Sequence, residues 1–394
     1  MLLVVGLATS RVHAVSDLAL YGVVDTGLSY VMVSRDAIAG QNSVAASDLD
    51  MDTGVQSGSR WGLKGTHTVA SGWSASFVLE GGLNSANGQA GQGGRAFGRQ
   101  STLGVANEHF GQLLVGRQST ISTNYFSTID PFGESFGQAN MGASFGTVNT
   151  VRYDNLIQYE TNPWHGLTFG AGYSFNTGLS ARYGSPLDSS LVPQTNYFGT
   201  NANMRALTAG AQFTGDALNV AVAYDRVFPA ELIPDGAGGL GGNPVGVSPS
   251  AWIVGATYDF AVVEIAAAFG RTYNGAASGN GPGNGWMVSD LPTVTDGAGV
   301  LFDEGFDSQS AMIGFTVPMG GIGNELMVSW QMQQPVGRIA GEPLFATQNI
   351  VGVAYTHGLS PRVNLYFWGS YGNNFQMAKT AKSSVIGAGL RYLF

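Results

Sequence analysis

From Leu18 onward, apolar and polar positions alternate with period two in segments of about ten residues, each bounded by turn-forming residues. In the closing segment Ile386, Ala388, Leu390, Tyr392 and Phe394 share one face, while Val385, Gly387, Gly389, Arg391 and Leu393 share the other. Trp73, Ala75, Phe77, Leu79, Gly81 and Leu83 likewise oppose Ser74, Ser76, Val78, Glu80, Gly82 and Asn84. This rule predicts strands near 18–31, 57–67, 72–84, 96–106, 110–118, 151–162, 166–176, 205–214, 217–228, 251–260, 262–273, 307–318, 324–333, 347–357, 362–373 and 383–394.

The links between these about sixteen strands alternate in length. Tight turns fall at Val69–Ser71, Asn107–His109, Asn162–His165, Gly215–Asp216, Ala261, Met319–Gly323 and Gly358–Pro361. Long links occupy roughly 32–56, 85–95, 119–150, 177–204, 229–250, 274–306, 334–346 and 374–382. An even strand number with short turns at one rim and long loops at the other is the topology of an all-β transmembrane antiparallel β-barrel, with both termini on the periplasmic side. In hydrocarbon every backbone donor and acceptor must pair within the protein, so a sheet spans only by closing on itself. A soluble sandwich or propeller also gives short alternating strands, but not the strict short-long alternation of links. Aromatics near strand ends (Tyr30, Tyr153, Tyr159, Phe213, Tyr258, Tyr273, Tyr355, Tyr371, Tyr392 and Phe394) are expected to form the interfacial girdles.

Composition agrees with the pattern. Charged residues make up 11% of the 394-residue chain, against roughly 25% in a typical soluble domain. No apolar stretch after residue 14 approaches the roughly 20 residues that a spanning helix needs. Cysteine is absent, so no disulfide or thiolate site is available. A net charge of −9, with no run among its 17 Lys and Arg, argues against a nucleic-acid partner. Residues 1–14 read as a signal peptide with a truncated basic segment: Leu2–Ala8 form the apolar core and Val12-His13-Ala14 fits the cleavage rule. Residues 15–394 are then one barrel domain. No H-E-x-x-H, nucleophile elbow or Ser/His/Asp grouping is present, and His67, His109, His165 and His357 fall at or beside predicted periplasmic turns; neither enzyme, cofactor nor metal is expected.

Several segments together resemble the trimeric general porins of Gram-negative bacteria, specifically the β-proteobacterial branch. They are Leu20–Gly27, Ser57–Gly65, Phe97–Gln100, Phe110–Gln118, Arg152–Asn155 and the closing Gly389–Phe394, in this order over the length of the mature chain. The resemblance implies a sixteen-stranded outer-membrane barrel, a homotrimer with one pore per subunit, and contact with lipopolysaccharide. It also implies a third loop, here 119–150 with Asp130–Gly137, folded into the lumen. Phe394 would be the signal read by the barrel-insertion machinery. The Gly-rich run 88–94 would belong to a second loop that latches onto a neighbouring subunit; it lacks the Lys-Ser/Thr of a phosphate cradle. Pro131-Phe132-Gly133 departs from the family's usual Pro-Glu-Phe-Gly, and Gln158 stands where relatives often carry a basic residue. The function implied is passive diffusion of small hydrophilic solutes and ions through a water-filled channel. The alternatives are a substrate-specific channel or an exported adhesin.

Alternation sets Arg60, Lys64 and Thr66 opposite Trp61 and Leu63, so both cations are expected in the lumen. The same rule puts Arg152 on one face with Asp154, Gln158 and Glu160. Asp130 and Glu134 are the matching anions of the third loop, since cations facing an acidic loop set a transverse field across a pore. Glu80 and Asp25 are inward acids, with Tyr21 beside Asp25. Strict alternation from Leu103 and Val105 turns Arg99 outward; a β-bulge between them would bring it into the lumen. Asp290, Asp296, Asp303, Glu304 and Asp307 lack calcium-loop spacing and read as solvated loop charges.

Overall fold

The computed structural model describes residues 16–38, 42–70, 72–146, 151–183, 191–192, 200–234, 240–242, 246–277 and 299–394. The predicted signal peptide, Asp290 and Asp296 lie outside them. Sixteen staves form the barrel: β1 (Ser16–Arg35), β2 in two runs (Val44–Thr53 and Arg60–Ala70), β3 (Trp73–Gly82), β4 (Gln100–Asn107), β5 (Gly111–Ser119), β6 (Arg152–Glu160), β7 (Leu167–Ser174), β8 (Arg205–Thr214), β9 (Leu218–Phe228), β10 (Ser250–Asp259), β11 (Glu264–Tyr273), β12 (Phe306–Pro318), β13 (Glu325–Gly337), β14 (Gln348–Ser360), β15 (Val363–Asn373) and β16 (Lys382–Leu393). Each pairs antiparallel with its neighbours in sequence. The sheet closes where β16 meets β1, in register from Val23↔Leu393 to Ser34↔Lys382. Phe394 completes the seam, exchanging backbone hydrogen bonds of 3.1 Å with Gly22 in both directions.

The molecule is inside out relative to a soluble protein. Leu103 is 66% exposed and Ile386 63%, whereas Gln331 and Gln348 are 0% exposed. Apolar side chains on the outer wall face lipid, where burying them in the protein would gain nothing, and polar side chains on the inner wall face the lumen and its contents. Among the expected girdle aromatics, Tyr30, Tyr159, Tyr258, Tyr371, Tyr392 and Phe394 are exposed on the outer wall. Tyr153 is the exception: it is buried with Val151, Leu156, Met204 and Phe302.

One sequence expectation is corrected in the wall itself. Within 32–56, read as a long link, Val44–Thr53 is a strand paired with the upper half of β1 from Thr26↔Thr53 to Arg35↔Val44. The lower run of β2 pairs with the other half of β1, from Ser16↔His67 to Val23↔Arg60. Between the runs the chain bends inward at 54–59, where Gly54 takes φ +70°, a conformation open to glycine at little cost.

At the long-loop rim, Ser180–Tyr183 and Gly299–Phe302 pair in parallel, flanked by Leu191–Val192 and Gly275–Ala277. Val300 and Phe302 bury against inward positions of β6, β8 and β9, so this loop sheet covers one side of the vestibule.

Candidate pore constriction

The third loop, between β5 and β6, turns into the barrel instead of away from it. Thr120 caps α1 (Ile121–Phe126), its hydroxyl accepting from the Thr123 N–H at 3.2 Å. The helix is moored by the Ile121 N–H to Thr208 Oγ1 (3.1 Å) and by the Ser122 hydroxyl to the Asp225 carboxylate. Ile121, Phe126, Ile129, Met141 and Phe145 then pack on Ala221, Ala223, Ala266 and Ala268 of the inner wall. Small wall residues are what leaves room for a loop inside a barrel. A Cβ on Gly352 would lie 2.6 Å from Ala139 Cβ, too close for any real contact.

Farther along, Phe136 packs edge-on against Phe132 and Tyr366, with ring centroids 5.8 and 5.7 Å apart. Its N–H donates to the Val55 carbonyl at 2.7 Å, so the bend in β2 and the tip of the loop hold each other. Gly133, Glu134, Phe136 and Gly137 all have φ between 55° and 60°. This left-handed run turns the tip back on itself and carries Glu134 to the lumen side.

Between that tip and the wall lies a cavity of ≈ 700 Å³, lined among others by Asp52, Arg60, Arg99, Glu134 and Arg152. Glu80 organises its wall. Its carboxylate receives Arg99 Nε at 2.7 Å and the Tyr21 hydroxyl at 2.9 Å, with Arg60 Nε at 3.6 Å. Lys64 Nζ sits 5.2 Å from the centroid of the Tyr21 ring, within cation–π reach. Tyr21 therefore lies beside Glu80 and Lys64, not beside Asp25 as expected.

Arg99 reaches the lumen by another route than the expected bulge. β3 and β4 pair without a register shift from Trp73↔Asn107 to Glu80↔Gln100, and Arg99 falls in the bend before β4, free of the pleat. The bulge is instead at β5–β6, where the register shifts between Gly116 and Gln118 and Asn155 takes φ +50°. It breaks the common face expected for Arg152, Asp154, Gln158 and Glu160. Arg152 lines the cavity, whereas Asp154 binds Arg95 and Arg117, each at 2.7 Å.

Two expected lumen acids lie elsewhere. Asp25 is wholly buried at the barrel seam, accepting from the Tyr366 hydroxyl (2.6 Å) and the Ser57 N–H (2.7 Å). Asp130 is buried inside the third loop, where it accepts from the N–H groups of Glu134 (2.8 Å), Phe132 (3.3 Å) and Met141 (3.4 Å). It folds the tip without facing the cavity, and burial pushes its carboxyl up to about 7. At the rim, Asp303 pairs with Arg338 at 2.6 Å and Asp307 accepts from the Asn274 N–H, so both serve to tie loops together. Among the described residues no group of acidic and histidine side chains is arranged to hold a metal.

A closed sixteen-stave barrel narrowed by an inward loop is a pore, and comparison with known proteins agrees. The family model described as Gram-negative porin matches residues 2–375. The chain belongs to that family. This porin is 39% identical to an outer membrane porin protein of Bordetella pertussis over 391 residues, covering 97% of this chain and 95% of that one. It is 34% identical to outer membrane porin protein 32 of Delftia acidovorans over 175 residues, 43% of this chain and 47% of that one. Among solved structures, the anion-selective porin from Comamonas acidovorans superposes with a TM-score of 0.66 at 20% identity, covering 96% of the porin and 100% of that chain. OmpF of Salmonella typhi, solved with daunomycin, superposes with a TM-score of 0.57 at 16% identity over 96% and 97% of the two chains. These structural likenesses bear on fold alone. The porin is an outer-membrane channel for passive diffusion in a Gram-negative bacterium.

Proposed function

We propose that the porin works as a homotrimer whose constriction, formed by Arg60, Arg99 and Arg152 opposite Glu134, with Lys64 farther down the lumen wall, favours small anionic and hydrophilic solutes. The observation that carries this reading is the charge at the narrowing. Three arginines, Arg60, Arg99 and Arg152, line it with two acids, Glu134 and Asp52, while Glu80 is held by Arg99 and Arg60, in a chain whose net charge is −9. Charge at a constriction decides which ions pass, because fields are focused where the water column is narrowest. A trimer accords with the family resemblance, which also supports Phe394 as the assembly signal and lipopolysaccharide as the outer-leaflet neighbour.

Conductance of the purified protein in planar bilayers under a salt gradient tests the reading. The expected result is steps grouped in threes, a reversal potential on the anion side, and a shift toward cations in Arg60→Ala. A cation-side reversal potential that Arg60→Ala leaves unchanged overturns it. Conductance that saturates with one solute would replace it with a substrate-specific channel.

A further inference from the structure

The far arm of the third loop is gripped from the wall by a row of side-chain amides and hydroxyls. Gln331 Nε2 lies 3.1 Å from the Gln138 carbonyl, 3.0 Å from that of Ala139 and 2.8 Å from that of Asn140. Ser329, on the same face of β13, donates to the Ala139 carbonyl at 3.3 Å. On the neighbouring β14, opposite Gln333, Gln348 Nε2 reaches the Ala143 carbonyl at 2.9 Å and Ser144 Oγ at 3.0 Å. From β16, the Ser383 hydroxyl donates to Gln138 Oε1 at 2.6 Å. Residues 137–143 form two short 3-10 turns, Gly137–Ala139 and Met141–Ala143, whose carbonyls point to the wall where these groups wait.

We infer that Gln331 is a positioning residue of the pore: it fixes the far arm so that Glu134, at the tip, stays opposite Arg99 and Arg152. The inference rests on the constriction described above. The loop is moored on each side of Glu134, besides the Phe136 N–H to Val55 carbonyl bond at the tip. The near arm is tied through Ile121 to Thr208 and through Ser122 to Asp225. The far arm is tied by Ser329, Gln348 and Ser383 together with Gln331, and it is Gln331 whose primary amide, with two N–H groups to share, reaches three successive carbonyls. An apolar residue of similar size would fill the same buried position, at 0% exposure, without holding any of them. Without the Gln331 amide, the Gln138 and Asn140 carbonyls lose this wall donor, the far arm is held more loosely, and the distance between Glu134 and the arginines fluctuates more.

Gln331→Met, which keeps the length of the side chain and loses both donors, separates holding from filling. In planar bilayers the variant is expected to show open-channel current noise raised several-fold and a shifted reversal potential, with heat-resistant barrel migration on gels as in wild type. Noise and reversal potential equal to wild type in correctly folded Gln331→Met overturn the inference. If that variant does not insert, Gln331→Asn, whose donors sit one methylene short of the carbonyls, gives the same two readouts with the same meanings. The wild-type and Arg60→Ala reversal potentials test the constriction separately, so failure of one reading is distinguishable from failure of the other.

Discussion

Glu80→Gln removes the one acid that both Arg99 and Arg60 approach, at 2.7 and 3.6 Å, while keeping the shape of the side chain. The wall of the constriction then gains one unit of positive charge. For an ion passing roughly 5 Å away in water, one unit charge is worth about 0.8 kcal/mol, and screening over a Debye length of about 10 Å at 0.1 M salt leaves about 0.5 kcal/mol. That is roughly a twofold gain for an anion and a twofold loss for a cation, so the anion-to-cation permeability ratio rises about fivefold. The assay is the reversal potential across a bilayer under a potassium chloride gradient, repeated at several mean salt concentrations. The shift must shrink as salt increases, because screening is its only strong attenuator in an open lumen. An unchanged ratio, or a shift toward cations, would refute the placement of Glu80 at the constriction. A shift of the expected sign that ignores salt would mean that the arginines had moved when released.

Two further outcomes follow from the seat of the third loop. Gly352→Val forces a side chain against Ala139, which lies 2.6 Å from the position of the new Cβ; overpacking of this kind costs about 1–3 kcal/mol. Because the wall strand is paired on both edges, the loop is what gives way, so single-channel conductance is expected to fall; a wild-type value would show that the loop is not seated there. Asp130, raised by burial to about 7, binds its proton more tightly folded than unfolded, where an aspartate titrates near 3.9. Its contribution to stability is therefore full below the unfolded value and is lost as pH rises through about 7. Thermal melting of wild type relative to Asp130→Asn is expected to decline between about pH 4 and 7, and parallel pH profiles of the two proteins would disprove this role.

The strands were legible because alternation is a local property: each residue's face follows from its neighbour two positions away, and lipid rewards the apolar face along the whole stave. The same rule set Arg60 and Lys64 opposite Trp61 and Leu63, and Arg60 does line the cavity. It misled wherever the pleat is interrupted. Arg99 stands in a bend, Arg152 lies beyond a bulge, and Val44–Thr53 carries Ser47, Asp48 and Asp50 on exposed faces that look like loop. The inner-wall glycines and alanines, Gly314, Gly352, Ala221, Ala223, Ala266 and Ala268, were a readable trace of the loop's seat that the alternation left unexplained.

The sequence by itself determined the class of the molecule: an even set of alternating strands, short turns at one rim, long loops at the other, and too few charges for a soluble surface. What only the tertiary structure decided was the constriction. Gln331 holds carbonyls 191–193 residues away and Gln138 meets Ser383 across 245. Asp130, an acid that a linear reading assigns to the pore, spends its oxygens folding the loop. Faces repeat every two residues and can be read in order, but a loop finds its partners only after the sheet has closed around it.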